Sequence, residues 1–586
     1  MLIDYYQKLW FAYREVDSYP SLSVTVDQLA LLFSCTDRNV KIVVKKMQEK
    51  GWIDWQPGRG RGHHSQLTLR ISFDDVVFTE AKRIARHQSI DDAVHFINQY
   101  PIAQTVIHQF MTNLIFEQMP SSRIEANIDH LRFPSYRSLP ILDPACMDRR
   151  TENHLMRHLY DSLVSVDQHC HGMKPGLAHA WKTNNEKTQW WFYLRKSVFF
   201  HDGRQLVAKD VCESLDRHRH KSSPYYWVGK HIDTLEVIQP LTVKIIFDKP
   251  MPFFLEIMAT LAGAIVSPMK NGKLQGTGPF RLIENNEQQL SMVANEKYYR
   301  ARPILDQVTL YFFPNLYDNK DKLLTEQTST LNFYHYPYSN DLHHYQEQTF
   351  IDQGSKLLTF NGQTGLLSND RALRQVICAA IQPSHLIKTL GGNRYVTATR
   401  MRRTLERGSL QETSLDQAKT LLEKSNYRGE VLTLAGYKGA GNELDGQWIQ
   451  SQLSKVGIKI SITFYEYADF FRQPLRDIDM LIGEQLAVED PLITYFKTFL
   501  GDHGLLSYHL PTKSKEKLEQ YLVSSLPKAR IIAEIDQLEA HLVANHHSLY
   551  LYRLNQYAIY PAYFKGIELN VLGWIDFCKL WFDREE

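Results

Sequence analysis

The sequence has little cysteine, and none of it is spaced for a metal site or a disulfide framework. Six cysteines are scattered over 586 residues, at Cys35, Cys146, Cys170, Cys212, Cys378 and Cys578. Structural zinc sites need closely spaced thiolates, and disulfide-dense domains need many pairable cysteines. The scarcity therefore predicts reduced thiols and an intracellular protein without a bound metal.

A long apolar run and a secretion signal are also missing. The most apolar stretch, Pro252 to Val266, contains Glu256 and is too short to cross a bilayer comfortably. The first residues, MLIDYYQKLWFAYREV, have no basic start, apolar core or small-residue cleavage site. We expect a soluble, cytoplasmic protein that does not contact a membrane.

Recognisable catalytic motifs are absent as well. The sequence has no phosphate-binding loop, GxSxG elbow, HExxH motif or dinucleotide fingerprint. Histidine doublets at 63–64, 343–344 and 546–547 are poor chelators, because adjacent side chains point to different faces of a helix or strand. We expect no enzyme activity, no cofactor and no metal.

Charge of either sign is nearly balanced, yet it is unevenly distributed. The whole chain carries a net charge of only +2, whereas the stretch from Arg38 to Arg61 has seven basic and two acidic residues, a net of +5. Attraction to nucleic acid must therefore come from a local patch. This stretch is the place to look for it.

The segment from Thr25 to Arg70 predicts a winged helix-turn-helix. Thr25 and Gln28 form a capping-box pattern, and apolar residues then recur at helical spacing. Ser34 to Thr36 supply the turn, and a second helix follows. Residues 51–55 and 66–70 alternate as two strands, with PGRGRGHHS between them as the wing.

The second helix carries the side chains that a DNA-recognition helix needs. Arginine reads guanine, asparagine reads adenine, an exposed aliphatic side chain meets a thymine methyl, and lysine neutralises phosphate. The alternative is a basic helix face that only contacts solvent. The ordered cap, turn and basic wing favour double-stranded DNA, and the predicted DNA-binding residues are Thr36, Arg38, Asn39, Lys41, Ile42, Lys45, Lys46, Arg59, Arg61, His63 and His64.

From about residue 128, several strings resemble the large solute-binding receptors of oligopeptide and nickel transport. LAHAWKTNNEKTQWWFYLRKSVFFHDGRQLVAKDV begins at Leu177, GTGPF begins at Gly276, and NDRALRQVICAAIQPSHLI begins at Asn369. They occur in the order that the receptor family has. The resemblance implies a two-lobed α/β module of the periplasmic-binding-protein type 2, oligopeptide-receptor-like fold.

A winged helix joined to such a module, without a signal peptide, resembles the SgrR-type transcriptional regulators. The strings that carry this are MQEKGWIDWQPGRGRGHHSQLT from Met47 and RRTENHLMRHLYDSLV from Arg149. The resemblance implies a multidomain cytoplasmic regulator whose solute-binding module, similar to the family 5 extracellular solute-binding proteins, senses a small metabolite. Relatives respond to sugar-phosphate stress, which does not fix the ligand of this chain.

One departure from the receptors bears on the ligand. Their "GW..D…DP" string, whose aspartate pairs with a peptide amine, aligns with Gly483 to Pro491, where Glu484 and Ala487 replace the tryptophan and the aspartate. Peptide binding in that mode would lose a charge-assisted partner. Arg149 and Arg150 are candidate donors to a phosphate or carboxylate, or else surface ion-pair partners.

Trp227 is a candidate for stacking on a sugar, or else a core residue, and Glu484 completes the predicted ligand-binding set. The predicted limits are a winged helix over 1–72, a helical connector over 73–127 that packs on it or supports a homodimer, solute-binding lobe I over 128–334 and 541–586, and lobe II over 335–540. The predicted function is a DNA-binding regulator responsive to a sugar, sugar phosphate or short peptide. The alternative is a solute receptor of an ABC-type oligopeptide or nickel uptake system.

Overall fold

The computed structural model describes residues 2–13, 21–58, 64–88, 90–102, 107, 110, 128–135, 137–167, 172–270, 273–312, 345–403 and 414–583. Within them the chain forms an N-terminal module, up to Phe110, and two larger α/β lobes. None of the described helices combines the length and apolarity needed to cross a bilayer.

The N-terminal module is a winged helix-turn-helix preceded by one helix. Its elements are α1 (Leu2–Tyr13), β1 (Ser21–Val24), α2 (Val26–Phe33), α3 (Asp37–Glu49), β2 (Ile53–Gln56) and β3 (Ser65–Leu69). The strands form an antiparallel sheet in the order β1-β3-β2. The predicted capping box is confirmed, because Thr25 Oγ1 accepts from Gln28 N at 3.2 Å and Thr25 N donates to Gln28 Oε1 at 2.8 Å.

The predicted connector begins with two helices, α4 (Phe73–His87) and α5 (Ile90–Ile97). Their apolar residues share one hydrophobic cluster with α1, α2 and α3, which extends to Ile107 and Phe110. The described part of the connector therefore packs on the winged helix, one of the two arrangements expected for it. Most residues between 103 and 127 lie outside the described part.

The first lobe contains twelve strands and four helices within its described residues. The strands are β4 (His130–Ser135), β5 (Val164–Val166), β6 (Met173–Pro175), β7 (Ala178–Thr183), β8 (Gln189–Leu194), β9 (Ile232–Gln239), β10 (Thr242–Phe247), β11 (Ser267–Lys270), β12 (Lys273–Gln275), β13 (Phe280–Asn285), β14 (Gln289–Ala294) and β15 (Gln307–Phe312). The helices are α6 (Arg150–Leu159), α7 (Ala208–Asp216), α8 (Tyr226–Gly229) and α9 (Phe254–Met258). Two four-stranded sheets, β7-β8-β10-β9 and β13-β14-β15-β4, form its frame.

The receptor-like strings fix the position of α6. A Cβ atom at Gly276 would lie 1.9 Å from the carbonyl oxygen of Leu159, and one at Gly278 would lie 2.5 Å from that of His158. Only glycine allows this close approach of two backbones. The FHDG string joins the same corner, since His201 N donates to Gly276 O at 2.8 Å. Both strings therefore anchor the carboxyl end of α6.

The second lobe is built on one large mixed sheet. Its strands are β16 (Tyr345–Ile351), β17 (Ser355–Phe360), β18 (Arg394–Thr397), β19 (Val431–Tyr437), β20 (Lys459–Tyr465), β21 (Met480–Gln485) and β22 (Ser548–Pro561). The order is β16-β22-β17-β21-β19-β20, with β18 paired to β22. The helices are α10 (Leu366–Asn369), α11 (Arg371–Ala380), α12 (Pro383–Leu390), α13 (Leu415–Leu422), α14 (Asn442–Lys455), α15 (Tyr467–Phe470), α16 (Pro491–Leu500), α17 (Leu505–His509), α18 (Thr512–Leu522) and α19 (Lys528–Ala544).

The C-terminal segment is shared between the two lobes. Strand β22 pairs with β16 and β17 in the second sheet. Beyond it, β23 (Phe564–Lys565) and β24 (Trp581–Phe582) pair with each other, and Phe577 and Trp574 contact Phe133 of lobe I. We therefore propose that lobe I resumes after residue 561, whereas the sequence-based limit places all of 541–586 in lobe I.

Candidate functional site between the lobes and on the recognition helix

Helix α3 presents a basic outer face because its inner face is fully used by the core. Val40, Val43, Val44 and Met47 are buried, and the remaining side chains except that of Asn39 are exposed. The outward set holds five of the predicted DNA-binding residues, all exposed: Arg38, Lys41, Ile42, Lys45 and Lys46. Ile42 is 46% exposed, so the basic face also presents one aliphatic side chain.

Two further predicted DNA-binding residues, Thr36 and Asn39, form hydrogen bonds within the N-terminal module. Thr36 caps α3, where its Oγ1 accepts from Asn39 N at 3.4 Å. The side chain of Asn39 is half-buried, and its Nδ2 donates to Tyr5 Oη of α1 at 3.3 Å. That amide is therefore held by the fold, whereas an adenine-reading asparagine presents its amide to the base edge.

A groove of about 260 Å³ runs between α3 and the start of the wing. It is lined by Val26, Val40, Lys41, Val44, Lys45, Gln48, Trp55 and Pro57. Lys41 and Lys45 form its rim, with Glu49 lying 3.8 Å from Lys45 Nζ. His64 is exposed just before β3, whereas Arg59, Arg61 and His63 lie outside the described residues.

The second candidate site is the face between the lobes, where Arg150 at the start of α6 points from lobe I into lobe II. Its Nε lies 3.2 Å from Glu484 Oε1, and Nη2 forms ion pairs with Glu484 and with Asp352. Its Nη1 donates to Leu572 O at 2.7 Å. The three charged side chains are 11%, 10% and 2% exposed, in the order Arg150, Glu484, Asp352.

Burial dominates the electrostatics of this cluster. Burial raises the pKa of Asp352, and the neighbouring Glu484 carboxylate adds to the rise, although Arg150 opposes both. Burial alone would lower the pKa of Arg150, but its two carboxylate partners reverse the shift and raise it. Arg150 is therefore a permanent cation whose charge is needed by two buried acids. Two predicted ligand-binding residues, Arg150 and Glu484, bind each other here.

Helix α6 and the residues just before it make two more ion-paired contacts with lobe II. Arg157 forms an ion pair with Glu489. Burial would raise the pKa of Glu489, but Arg157 outweighs it and the net shift is downward. Just before the helix, Asp148 Oδ1 accepts from Lys497 Nζ at 2.8 Å, and both side chains are buried. The lobes are thus held together by the chain's own charges.

Arg149 differs from its neighbour. Its guanidinium carbon lies 5.6 Å and 5.3 Å from the ring centroids of Tyr437 and Tyr467, and Nη2 donates to Lys438 O at 3.3 Å. Within the described ranges no carboxylate is ion-paired with it. A guanidinium between two aromatic faces is pre-oriented and still able to bind an anion bidentately.

Trp227 is buried, with 3% of its surface exposed, and its ring lies 6.2 Å from that of Phe496 in lobe II. Its Nε1 has no hydrogen-bond partner among the described residues. In this arrangement of the lobes the ring is a packing residue rather than an open stacking platform. Tyr225 is buried beside it.

A cluster of His158, Asp576 and Cys578 has potential metal-ligand atoms within 4.8 Å of one another. Both ring nitrogens of His158 are already used, because Phe577 N lies 3.2 Å from Nε2 and His154 O lies 2.9 Å from Nδ1. Burial raises the pKa of the Cys578 thiol well above its usual range. These three residues therefore fit a metal poorly as they stand.

Sequence reasoning missed most partners in the face between the lobes. Those it did not single out are Arg157, Asp352, Tyr437, Tyr467, Glu489 and Lys497. The string RRTENH placed the α6 arginines, but nothing local in a sequence links Arg150 to an acid 202 residues away.

Comparisons with known proteins agree with this architecture. Residues 172–505 match the model of the bacterial extracellular solute-binding proteins, family 5, and residues 1–116 match the N-terminal domain of the sugar transport-related sRNA regulators. The second match covers the winged helix together with α4 and α5.

Similar curated proteins extend over almost the whole chain. The HTH-type transcriptional regulator SgrR of Yersinia enterocolitica is 24% identical over 576 residues, which cover 96% of each chain. The uncharacterized protein YhjP of Bacillus subtilis is 24% identical over 571 residues, again 96% of each chain.

Solved structures share the fold of the lobes. NikA of Brucella suis, determined with Fe(III)-EDTA, covers 78% of this chain and all of its own with a TM-score of 0.60 and 19% identity. AppA of Bacillus subtilis, an oligopeptide-binding protein determined with a nonapeptide, covers 78% of this chain and 99% of its own with a TM-score of 0.63 and 17% identity. The chain therefore belongs to the family 5 bacterial extracellular solute-binding proteins and, through its N-terminal domain, to the SgrR type of DNA-binding transcriptional regulator.

Proposed function

We propose that this regulator is ligand-responsive, and that a small solute bound between the lobes controls DNA binding by α3. The observation that carries the proposal is the row of arginines on α6. Arg150 and Arg157 hold lobe I to lobe II through Glu484 and Glu489. A solute that enters this face changes the balance of those contacts, and with it the arrangement of the lobes.

The charges at this face favour a solute with an anionic group. Arg149 faces Tyr437 and Tyr467 and is half-exposed, so a phosphate or carboxylate can reach it. A peptide amine has less to bind, because Ala487 is an apolar, buried residue where the receptors' string has an aspartate. We rank a sugar phosphate above a neutral sugar and a short peptide.

The remaining assignments follow from the DNA partner. We propose a cytoplasmic protein because double-stranded DNA is its proposed partner, and the five described cysteines, which form no disulfide, suit that compartment. The relatives are regulators and solute-binding proteins, and we propose no enzyme activity.

A homodimer is consistent with the paired half-sites that helix-turn-helix proteins bind. A transport receptor is the second candidate, and the basic outer face of α3 speaks against it.

Thermal unfolding of the full-length protein with a hexose phosphate, the parent hexose and a tripeptide tests the proposal. At a hundredfold excess over Kd, a bound ligand stabilises the folded state by about 2.7 kcal/mol. We expect the hexose phosphate to raise the unfolding temperature of the wild type and not that of Arg149→Ala. Arg428→Ala, an exposed arginine of lobe II, is the matched control.

The same titration is then repeated with a duplex selected by the wild-type protein from random-sequence DNA. Linkage requires the solute to change DNA affinity by the same factor by which DNA changes solute affinity. Solute binding without any such coupling would leave a receptor rather than a sensor.

A further inference from the structure

The sheet β13-β14-β15-β4 of lobe I has two different faces. Along β15, Val308, Leu310 and Phe312 belong to the large hydrophobic cluster of the lobes. Successive strand residues point to opposite faces, so Thr309 and Tyr311 lie on the other side. Thr309 lies there in a polar layer, with its Oγ1 2.9 Å from His130 Nε2 and 3.0 Å from Ser291 Oγ.

Tyr311 is the exception to that polar layer. It is buried, and it belongs to the hydrophobic cluster of the N-terminal module, together with Tyr100, Ile102, Ile107 and Phe110. The module therefore includes one aromatic side chain of lobe I in its own core. The backbone of the following residue also contacts the module, because Nδ2 of Asn98, which lies just after α5, donates to Phe312 O at 2.6 Å.

Tyr311 and Phe312 lie where a movement of the lobes can reach the N-terminal module. Phe312 is the last residue of β15, and its buried side chain belongs to the same hydrophobic cluster as Leu357 and Ala435 of lobe II. At its edge away from β14, β15 pairs in parallel with β4, the first described strand after the N-terminal module. A shift of lobe II relative to lobe I therefore acts on the strand end that Asn98 and Tyr311 fix to the module.

We propose that Tyr311 and the Asn98–Phe312 hydrogen bond transmit the arrangement of the lobes to the DNA-binding module. The inference rests on the proposed function for its biological purpose, because that function requires a route from the lobes to α3. Its structural content is independent of any ligand. A change made at the face between the lobes reaches the N-terminal module through these two residues.

The lobes can be perturbed without a ligand by Arg150→Ala, which removes the shared partner of Glu484 and Asp352. The readout is hydrogen–deuterium exchange of the backbone amides of α3, α4 and α5 in the full-length chain. We expect Arg150→Ala to change exchange in these helices at least about fivefold, the lower end of the usual range of coupling between sites. Arg428→Ala, whose guanidinium bonds only to Ser425 O and Tyr427 O among described residues, is the matched control.

The same perturbation is then made in chains carrying Asn98→Ala or Tyr311→Ala, with Tyr311→Phe as the variant that keeps the ring. The exchange response to Arg150→Ala should disappear with Asn98→Ala and Tyr311→Ala and persist with Tyr311→Phe. Asn98→Ala keeps the test decisive if Tyr311→Ala unfolds the module. A response that survives Asn98→Ala and Tyr311→Ala, or that is missing from the wild-type background, rules the route out.

DNA affinity measured on the same variants separates this inference from the proposed function. If Arg150→Ala changes amide exchange through Tyr311 but leaves DNA affinity unchanged, the proposed regulatory function is rejected and the structural link through Tyr311 stands. An affinity change caused by Arg150→Ala that neither Asn98→Ala nor Tyr311→Ala reduces would reject the route and keep the function.

Discussion

Arg150 and Glu484 form an ion pair across the two lobes, although 334 residues separate them in the chain. Asp352 shares the same guanidinium. The consequence is that a segment of lobe I and two strand ends of lobe II are held by one cation. Replacing that cation leaves two buried carboxylates without their main partner.

We therefore expect Arg150→Ala to destabilise the association of the lobes by about 3–5 kcal/mol, the usual cost of breaking a buried ion pair from one side. Urea unfolding followed by tyrosine and tryptophan fluorescence measures the loss. The triple variant Arg150→Ala, Glu484→Gln, Asp352→Asn should recover part of it, because no unpaired charge remains. A loss equal to that of the exposed control Arg428→Ala would contradict the view that this pair fastens the lobes.

Local features of the winged helix could be predicted from the sequence, because each depends on a few neighbouring residues. The capping box of Thr25 and Gln28, the cap by Thr36 and the buried face of α3 are all set by spacings of three and four residues. The fold of the lobes followed from a family resemblance carried by strings such as GTGPF. Gly276 and Gly278 of that string meet the end of α6, a contact that no periodicity reveals.

Long-range partners could not be predicted. Asn39 has the side chain and position of a base-reading residue, but Tyr5 of α1 takes up its amide. Nothing local in strand β22 indicates which lobe it joins, and its pairing with β16 and β17 assigns it to lobe II. Arg149 and Arg150 are adjacent and chemically identical, yet one faces two tyrosines and the other two acids.

Arg38 is the exposed arginine of the first turn of α3, and we expect it to read a base. Arg38→Ala should then cost about 1–3 kcal/mol at the preferred duplex and relax the preference at one base position. Fluorescence anisotropy against single-base variants of the duplex measures both quantities. Equal weakening on every duplex would make Arg38 a phosphate contact, and Asn39→Ala offers a comparison in which a smaller loss of base preference is expected.

The wing residues Arg59 and Arg61 lie outside the described part of the structure, and their role stays a prediction from the sequence. If both contact phosphate, the double variant Arg59→Ala, Arg61→Ala should reduce the slope of log K against log salt by roughly two units. Binding titrations at several salt concentrations give this slope. An unchanged slope would exclude the wing arginines from the interface, and Lys82→Ala, on α4, serves as the matched removal of a cation elsewhere in the module.

His218 couples the stability of lobe I to pH. Burial lowers the pKa of His218 to about 4, with the nearby Arg217 adding to the effect, while Nδ1 lies 2.8 Å from Ser223 Oγ. The ordinary pKa of an unfolded histidine is about 6.5, so the folded state favours the neutral ring. The stability that depends on this neutral form is complete above pH 6.5. It is lost as the pH falls towards 4, at about 1.4 kcal/mol per pH unit.

Other buried histidines, among them His509 with a pKa lowered by burial to about 4, add to the same acid sensitivity. The contribution of His218 is therefore isolated by difference. His218→Asn should make the free energy of unfolding fall less steeply between pH 6.5 and 4, by about one proton, in urea titrations at a series of pH values. His220→Asn replaces an exposed histidine two residues away and should leave the slope as it is in the wild type. If both variants keep the wild-type slope, protonation of His218 costs no folding free energy. The burial of His218 then does not contribute to the loss of stability of this lobe at low pH.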